Sequence, residues 1–171
     1  EYVPFRSWIP FLDIIAGPTD FVAATQNQLI DVPGIGQVQT LICYEVIFAG
    51  YVAAPQPRPD LLVNVTNDAW FGATIGPLQH LYQSQLRAVE EGIPLLRVAN
   101  TGISAAFDGF GRKLGSIPLG ERAYLDIAIP SVLTAPVFAR FGNAGFFSLC
   151  LGVFGAAWGL YRHEKQKALR A

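Results

Sequence analysis

The chain has 171 residues, a length that fits one domain, and with 51% apolar and 15% charged residues it is greasier than an average soluble chain. Twelve basic residues against thirteen acidic ones make no global field to attract nucleic acid, which excludes that class of partner. Something in the chain is expected to contact lipid. It holds no methionine and begins at Glu1, so it is expected to be a fragment of a longer protein. Its two cysteines, Cys43 and Cys150, stand far apart, and Cys150 sits inside an apolar run. No disulfide framework is implied, and Cys43 is expected to be a free thiol.

The segment from Glu1 to Gln37 is broken by Pro4, Pro10, Pro18 and Pro33 and reads mainly as loop. Val38 to Cys43 reads as a strand. Val46 to Ala54 is expected to be a helix that Pro55, Pro57 and Pro59 stop. Leu61 to Thr66 is a second strand, with a nearly continuous apolar pattern suited to burial on both faces. Pro77 to Glu91 is the best-marked helix: Leu78, Leu81, Tyr82, Leu86 and Val89 form one stripe, Pro77 sits in the first turn and Gly92 follows the end. This helix is expected to pack on a sheet. Leu95 to Ala99, Ile103 to Phe107, Lys113 to Ile117 and Ala123 to Ile129 read as further strands, with Asp108-Gly109-Phe110-Gly111 as a turn. Strands alternating with helices predict an α/β layered fold.

From Phe141 to Tyr161 there are twenty-one residues without a formal charge. At ~1.5 Å per residue they are enough to cross a hydrocarbon core of about 30 Å, so a transmembrane helix is expected. Arg162, Lys165, Lys167 and Arg170 follow it, whereas the twenty residues before it hold only Arg122 and Arg140 as basic residues. This asymmetry places the tail in the cytoplasm and residues 1–140 on the opposite side. Gly152, Gly155 and Gly159 are a seam on which further membrane helices of the same protein would pack, although glycine is common in membrane helices in any case.

Leu41-Ile42-Cys43-Tyr44-Glu45 ends an apolar run on a thiol, a polar aromatic residue and a carboxylate, where a rigid strand presents reactive groups to a substrate. Asn64-Val65-Thr66-Asn67-Asp68-Ala69-Trp70-Phe71-Gly72 closes the next run in the same way. A thiolate nucleophile needs a nearby base or positive group. His80 is the only histidine before the tail, so a Cys–His pair would depend on it. The alternative for Cys43 is a small buried hydrophobe. No His/Cys/Asp cluster has ligand spacing, so neither metal nor organic cofactor is expected.

These blocks, followed by Gly76-Pro77-Leu78-Gln79-His80, Arg87-Ala88-Val89-Glu90 and Asn100-Thr101-Gly102-Ile103, resemble the nitrilase superfamily of carbon–nitrogen hydrolases. More narrowly, the chain is similar to the apolipoprotein N-acyltransferase family, bacterial membrane enzymes that N-acylate lipoproteins. The opening Glu1-Tyr2-Val3-Pro4-Phe5 resembles that family's Gly-Glu-Tyr-Val-Pro segment without its glycine.

The resemblance implies a nitrilase αββα sandwich in residues 1–140, present only in its C-terminal part, then the transmembrane helix at 141–161 and a basic cytoplasmic tail at 162–171. It also implies a bacterial inner-membrane protein, multi-pass in the parent, with a periplasmic catalytic domain. The implied partners are a phospholipid acyl donor, a diacylglyceryl-modified lipoprotein acceptor, the membrane itself and the missing N-terminal transmembrane helices. Cys43 would carry the acyl chain as a thioester. Glu45 and Glu1 match family carboxylates that support the site. The Tyr44 N–H would stabilise an oxyanion and its ring would line the acyl pocket, whose substrate-binding residues would be Asn67, Asp68, Trp70, Phe71 and His80.

The family's glutamate base and oxyanion lysine precede the cysteine and have no match here, since the only lysines are Lys113, Lys165 and Lys167. Residues 1–171 alone are therefore expected to show no turnover, and a sheet lacking its N-terminal strands is expected to expose edges and apolar faces. Two other readings stay open: a membrane-tethered nitrilase-like amidase, in which water resolves the acyl-enzyme, and a catalytically dead membrane-anchored binding domain.

Overall fold

The computed structural model describes residues 29–52 and 57–168. Six strands form one mixed sheet in sequential order: β1 (Leu29–Val32), β2 (Gly36–Ile42), β3 (Leu61–Asn67), β4 (Leu95–Asn100), β5 (Ser104–Phe107) and β6 (Lys113–Ile117). The central three run parallel, and β1, β5 and β6 are added antiparallel at the flanks. Strand β1 lies in a stretch expected to be loop. It forms because Pro33 and Gly34 sit in a tight turn, closed by the Ile35 N–H donating to the Val32 carbonyl at 3.0 Å, that folds Leu29–Val32 back on β2.

Helix α1 (Gly76–Glu91) carries the chain from β3 to β4 and covers one face of the sheet. Pro77 opens it without losing a needed N–H, and Gly92 closes it at φ +65°, donating to the Ala88 carbonyl. Leu41, Leu62, Leu81, Ala88, Leu95 and Phe107 belong to the core between helix and sheet.

The expected apolar stripe is buried only in part: Leu81 lies in the core and Leu78 packs against it. Tyr82, Leu86 and Val89 are exposed, whereas His80, Ser84, Arg87 and Glu91 are buried at i, i+4, i+7 and i+11. The reason lies in the sheet beneath, which presents Asn64 and Arg97 to the helix, so the helix must answer with polar groups. Strand β3 is likewise not buried on both faces along its length: Val65 is exposed, as are Ile42 and Val98 on the neighbouring strands. Apolar side chains are therefore open to solvent on the sheet face away from α1.

Two further expectations are corrected. Residues 46–54 do not form an α-helix in their described part: Cys43–Ile47 is a 3-10 turn, Phe48 reverts to extended backbone and Gly50 has positive φ. Ala123–Ile129 pairs with no strand among the described residues. Its apolar alternation reflects packing, since a Cβ on Gly115 would meet Leu125 and Ile127, but no ladder forms. Past this segment the chain returns to the end of α1, where the Leu133 N–H donates to the Gly92 carbonyl at 2.9 Å.

After α2 (Val137–Phe141) and a break at Gly142 and Asn143 comes α3 (Ala144–Ala168). Ala144–His163 of α3 is long and apolar enough to cross a membrane and buries none of that surface in the chain. Phe141 belongs to α2, so the long helix begins three residues later than the uncharged run.

Candidate active site

Cys43 leaves the end of β2 with φ +52°, a left-handed conformation for a residue with a Cβ. Along β2 the inward side chains alternate through Gln39 and Leu41, both buried under α1, so an extended Cys43 would follow them into the core. The left-handed step instead leaves it half-buried at the start of the 3-10 turn, and both cysteines are free thiols.

Several groups hold this turn. The Glu45 carboxylate reaches back to accept from the Ile42 N–H at 2.7 Å. Arg87 of α1 donates to the Ile47 carbonyl at 3.1 Å and pairs with Glu90 at 3.0 Å. The Asn64 amide donates to the carbonyls of Leu41 and Cys43 at 3.1 and 3.2 Å.

Behind the turn lies a buried polar network. Arg97 donates to Asn64 Oδ1 and Asp68 Oδ2 at 2.6 Å each and to Ser84 Oγ at 3.2 Å. His80 Nδ1 lies 3.0 Å from Asp68 Oδ1, which accepts, and 3.1 Å from the Arg97 guanidinium, which donates, so the ring nitrogen is shared between the two partners of the ion pair. Gly102 is glycine because a Cβ there would collide with the Asp68 carboxylate. Arg97 and Ser84 had not been expected at the site. The signal for Arg97 was available: Leu95, Arg97 and Ala99 share one face of a strand, so a charge stood at an inward position of an apolar pattern.

An aromatic cluster closes over the network. Tyr44 stacks on His80 with ring centroids 5.2 Å apart, and Phe71 meets the same ring edge-on at 5.6 Å. A cavity of about 270 Å³ lies here, lined in part by Tyr44, Phe71, Gln79 and His80. A larger groove of about 640 Å³ lies against β4, β5 and residues 120–127; Arg97 is among its lining residues, but Cys43 and the rest of its turn are not. Trp70 is 86% exposed, which rules out a core role for it. Asn67 caps the next 3-10 turn (Asp68–Phe71), accepting from the Ala69 N–H at 3.2 Å.

The structure thus brings Cys43, Tyr44, Asp68, Phe71 and His80 together, with Glu45 holding the turn, Asn67 at the end of β3 and Trp70 on the 3-10 turn that follows it. Glu1 lies outside the described residues. Within this group Asp68 and His80 are buried, so His80 meets the cavity through a ring that is almost covered.

Burial lowers the His80 pKa below its usual 6.5, and the Arg97 charge adds to this, while Asp68 and the backbone of Cys43 pull the other way. The folded chain therefore binds this proton more weakly than the unfolded chain. The stabilising contribution of neutral His80 is complete above about pH 6.5 and is lost as pH falls through that value toward the lower folded one. Glu90 and Glu91, both raised by burial, act in the opposite sense. We expect thermal midpoints measured from pH 8 to pH 5 to fall more steeply for the native chain than for His80→Gln. Parallel curves would show that His80 does not titrate with folding.

The sequence model of the carbon–nitrogen hydrolase family matches residues 7–137. A protein named apolipoprotein N-acyltransferase from Bradyrhizobium diazoefficiens is 41% identical over 150 residues, covering 82% of this chain and 28% of its own length. A protein of the same name from Rhizobium rhizogenes is 39% identical over 161 residues, 91% of this chain and 30% of its own length. The chain thus spans less than a third of the length of these curated relatives.

Among solved structures, Saccharomyces cerevisiae Nit3, a member of branch 10 of the nitrilase superfamily, superposes with a TM-score of 0.50 at 18% identity, over 59% of this chain and 40% of that one. The carbon–nitrogen hydrolase from Helicobacter pylori G27 does so with a TM-score of 0.50 at 12% identity, over 58% and 42%. Both are likenesses of fold, and they identify the helix-covered mixed sheet as a nitrilase-type α/β arrangement. Given the family match over most of its length, the chain belongs to the carbon–nitrogen hydrolase family.

Proposed function

We propose that the chain is the cysteine-bearing part of a membrane-bound apolipoprotein N-acyltransferase. The observation that carries this reading is identity near 40% to proteins of that name over 82–91% of the chain. The Cys43 thiolate attacks an ester carbonyl of a phospholipid, the C–O bond breaks, and the lysophospholipid leaves with a proton. The N-terminal amine of a diacylglyceryl-cysteine lipoprotein then attacks the thioester, the C–S bond breaks, and an amide and the free thiol result. Splitting the transfer in two lets two bulky lipids use one pocket in turn.

The surroundings of Cys43 support a lipid substrate. Tyr44, Phe48, Trp70 and Ile75 are exposed on the 3-10 turn and on the loops that follow it and β3, an arrangement suited to the bilayer interface. Residues 144–163 then act as a membrane anchor, with Arg162 and Lys165 toward the cytoplasm and the sheet on the periplasmic side of a bacterial inner membrane. Holding the site at the bilayer restricts the search for substrates that are themselves lipid-anchored.

Mass analysis of the Cys43 peptide tests the reading. After incubation of the whole protein with phospholipid vesicles, the peptide is expected to gain the mass of one fatty acyl chain. A diacylglyceryl-cysteine peptide should then clear that mass while gaining an amide. Clearance by water alone would establish the amidase, and a Cys43 that is never acylated would leave only a binding domain.

A further inference from the structure

Leu41, Asn64 and Arg97 stand directly opposite one another on the three parallel strands, forming a row across the sheet under α1. Asn64 is fully buried and Arg97 is 1% exposed, so neither touches a substrate at the surface. Both hydrogens of one amide nitrogen on Asn64 are engaged, by the carbonyls on either side of Ile42. That pair of carbonyls brackets the point where the chain turns from extended to left-handed. An asparagine side chain can point its oxygen or its nitrogen either way, and here the Arg97 guanidinium selects between the two. Arginine only donates, so Oδ1 must face it and the NH2 group must face Cys43. Asp68 in turn anchors the other guanidinium nitrogen.

We propose that Asn64 and Arg97 are positioning residues for the Cys43 thiol: Arg97 orients the Asn64 amide, and the amide holds Cys43 in the left-handed conformation that keeps its sulfur out of the core. The backbone strain at Cys43 is of a kind that persists only where neighbours over-determine it, and among the groups that hold the turn Asn64 is the one that binds the Cys43 carbonyl itself. The proposal rests on the reading of Cys43 as the reacting group, but it can be tested without acyl transfer.

The experiment follows alkylation of Cys43 by iodoacetamide across pH in the whole protein, reading the peptide by mass. The rate plateau at high pH reports how well the sulfur is presented, and the midpoint reports its charge environment. Asn64→Asp keeps the shape and the Arg97 contact but removes both donors, and it is expected to lower the plateau about tenfold or more. Arg97→Lys keeps the charge but loses the fork that orients the amide, so the plateau should fall about threefold or more with the midpoint unmoved.

Because one residue acts through the other, the double variant should be no slower than Asn64→Asp alone. Additive effects, or plateaus equal to the native one, would overturn the proposal. So would faster alkylation, because a merely loosened fold exposes the thiol. If Asn64→Asp does not fold, the plateau and midpoint of Arg97→Lys decide the matter. A cycle that behaves as expected in a protein whose Cys43 is never acylated would retain the positioning role and refute the acyltransferase reading.

Discussion

Cys43→Ala in the whole protein is expected to abolish lipoprotein acylation, a loss of about three orders of magnitude or more, because the covalent route has no other nucleophile at the turn. Stability should hardly change, since alanine in the same left-handed conformation is strained like cysteine. Cys43→Gly sharpens the test. Glycine removes that strain, and the variant should be about 1 kcal/mol more stable than the native protein while being equally inactive. A stabilised, inactive glycine variant is the signature of strain kept for the sake of presenting the sulfur. Acylation by Cys43→Ala at more than a few per cent of the native rate would refute the nucleophile assignment.

The second large effect concerns the ion pair beneath. Asp68 and Arg97 are each 1% exposed and 2.6 Å apart. Asp68→Ala removes the partner of a buried guanidinium and leaves Thr66 Oγ1 and His80 Nδ1 without their acceptor. Breaking a buried pair from one side is destabilising by about 3–5 kcal/mol, so we expect the thermal midpoint to drop by about 10 °C. Removing both charges with apolar residues of similar volume, Asp68→Leu with Arg97→Met, should be milder than either single change. A single variant that melts like the native protein would show that water already reaches the pair. A double variant that melts below both singles would show that the pair is favourable beyond its mutual compensation.

Much of this arrangement was legible in the sequence, for identifiable reasons. Cys43 stood out because an apolar run ended on it, and a strand end is where a rigid element presents a side chain. Helix α1 was marked at both ends by Pro77 and Gly92, whose backbone demands are local. Its orientation was legible only in part. Of the stripe Leu78, Leu81, Tyr82, Leu86 and Val89 the core takes Leu81 and packs on Leu78, while the other three are exposed, because the sheet beneath also presents a buried Arg97 that must be met by acceptors. The strand expected at 123–129 failed for a related reason: alternation reports which side chains pack, not whether a neighbouring backbone pairs.

What the chain's own order of residues determined was the set of parts: a thiol at a strand end, a Pro-to-Gly helix, an uncharged run long enough to span a bilayer, and motif blocks that mark the family. These are local properties, set by propensity and by spacing along the chain. Only the tertiary structure decided that Leu41, Asn64 and Arg97 form one row and that Cys43 turns left-handed at its end. It also decided that Asp68 holds both His80 and Arg97. Those outcomes depend on strand register and on contacts between residues 12 to 33 positions apart, for which no stretch of sequence carries a local signal.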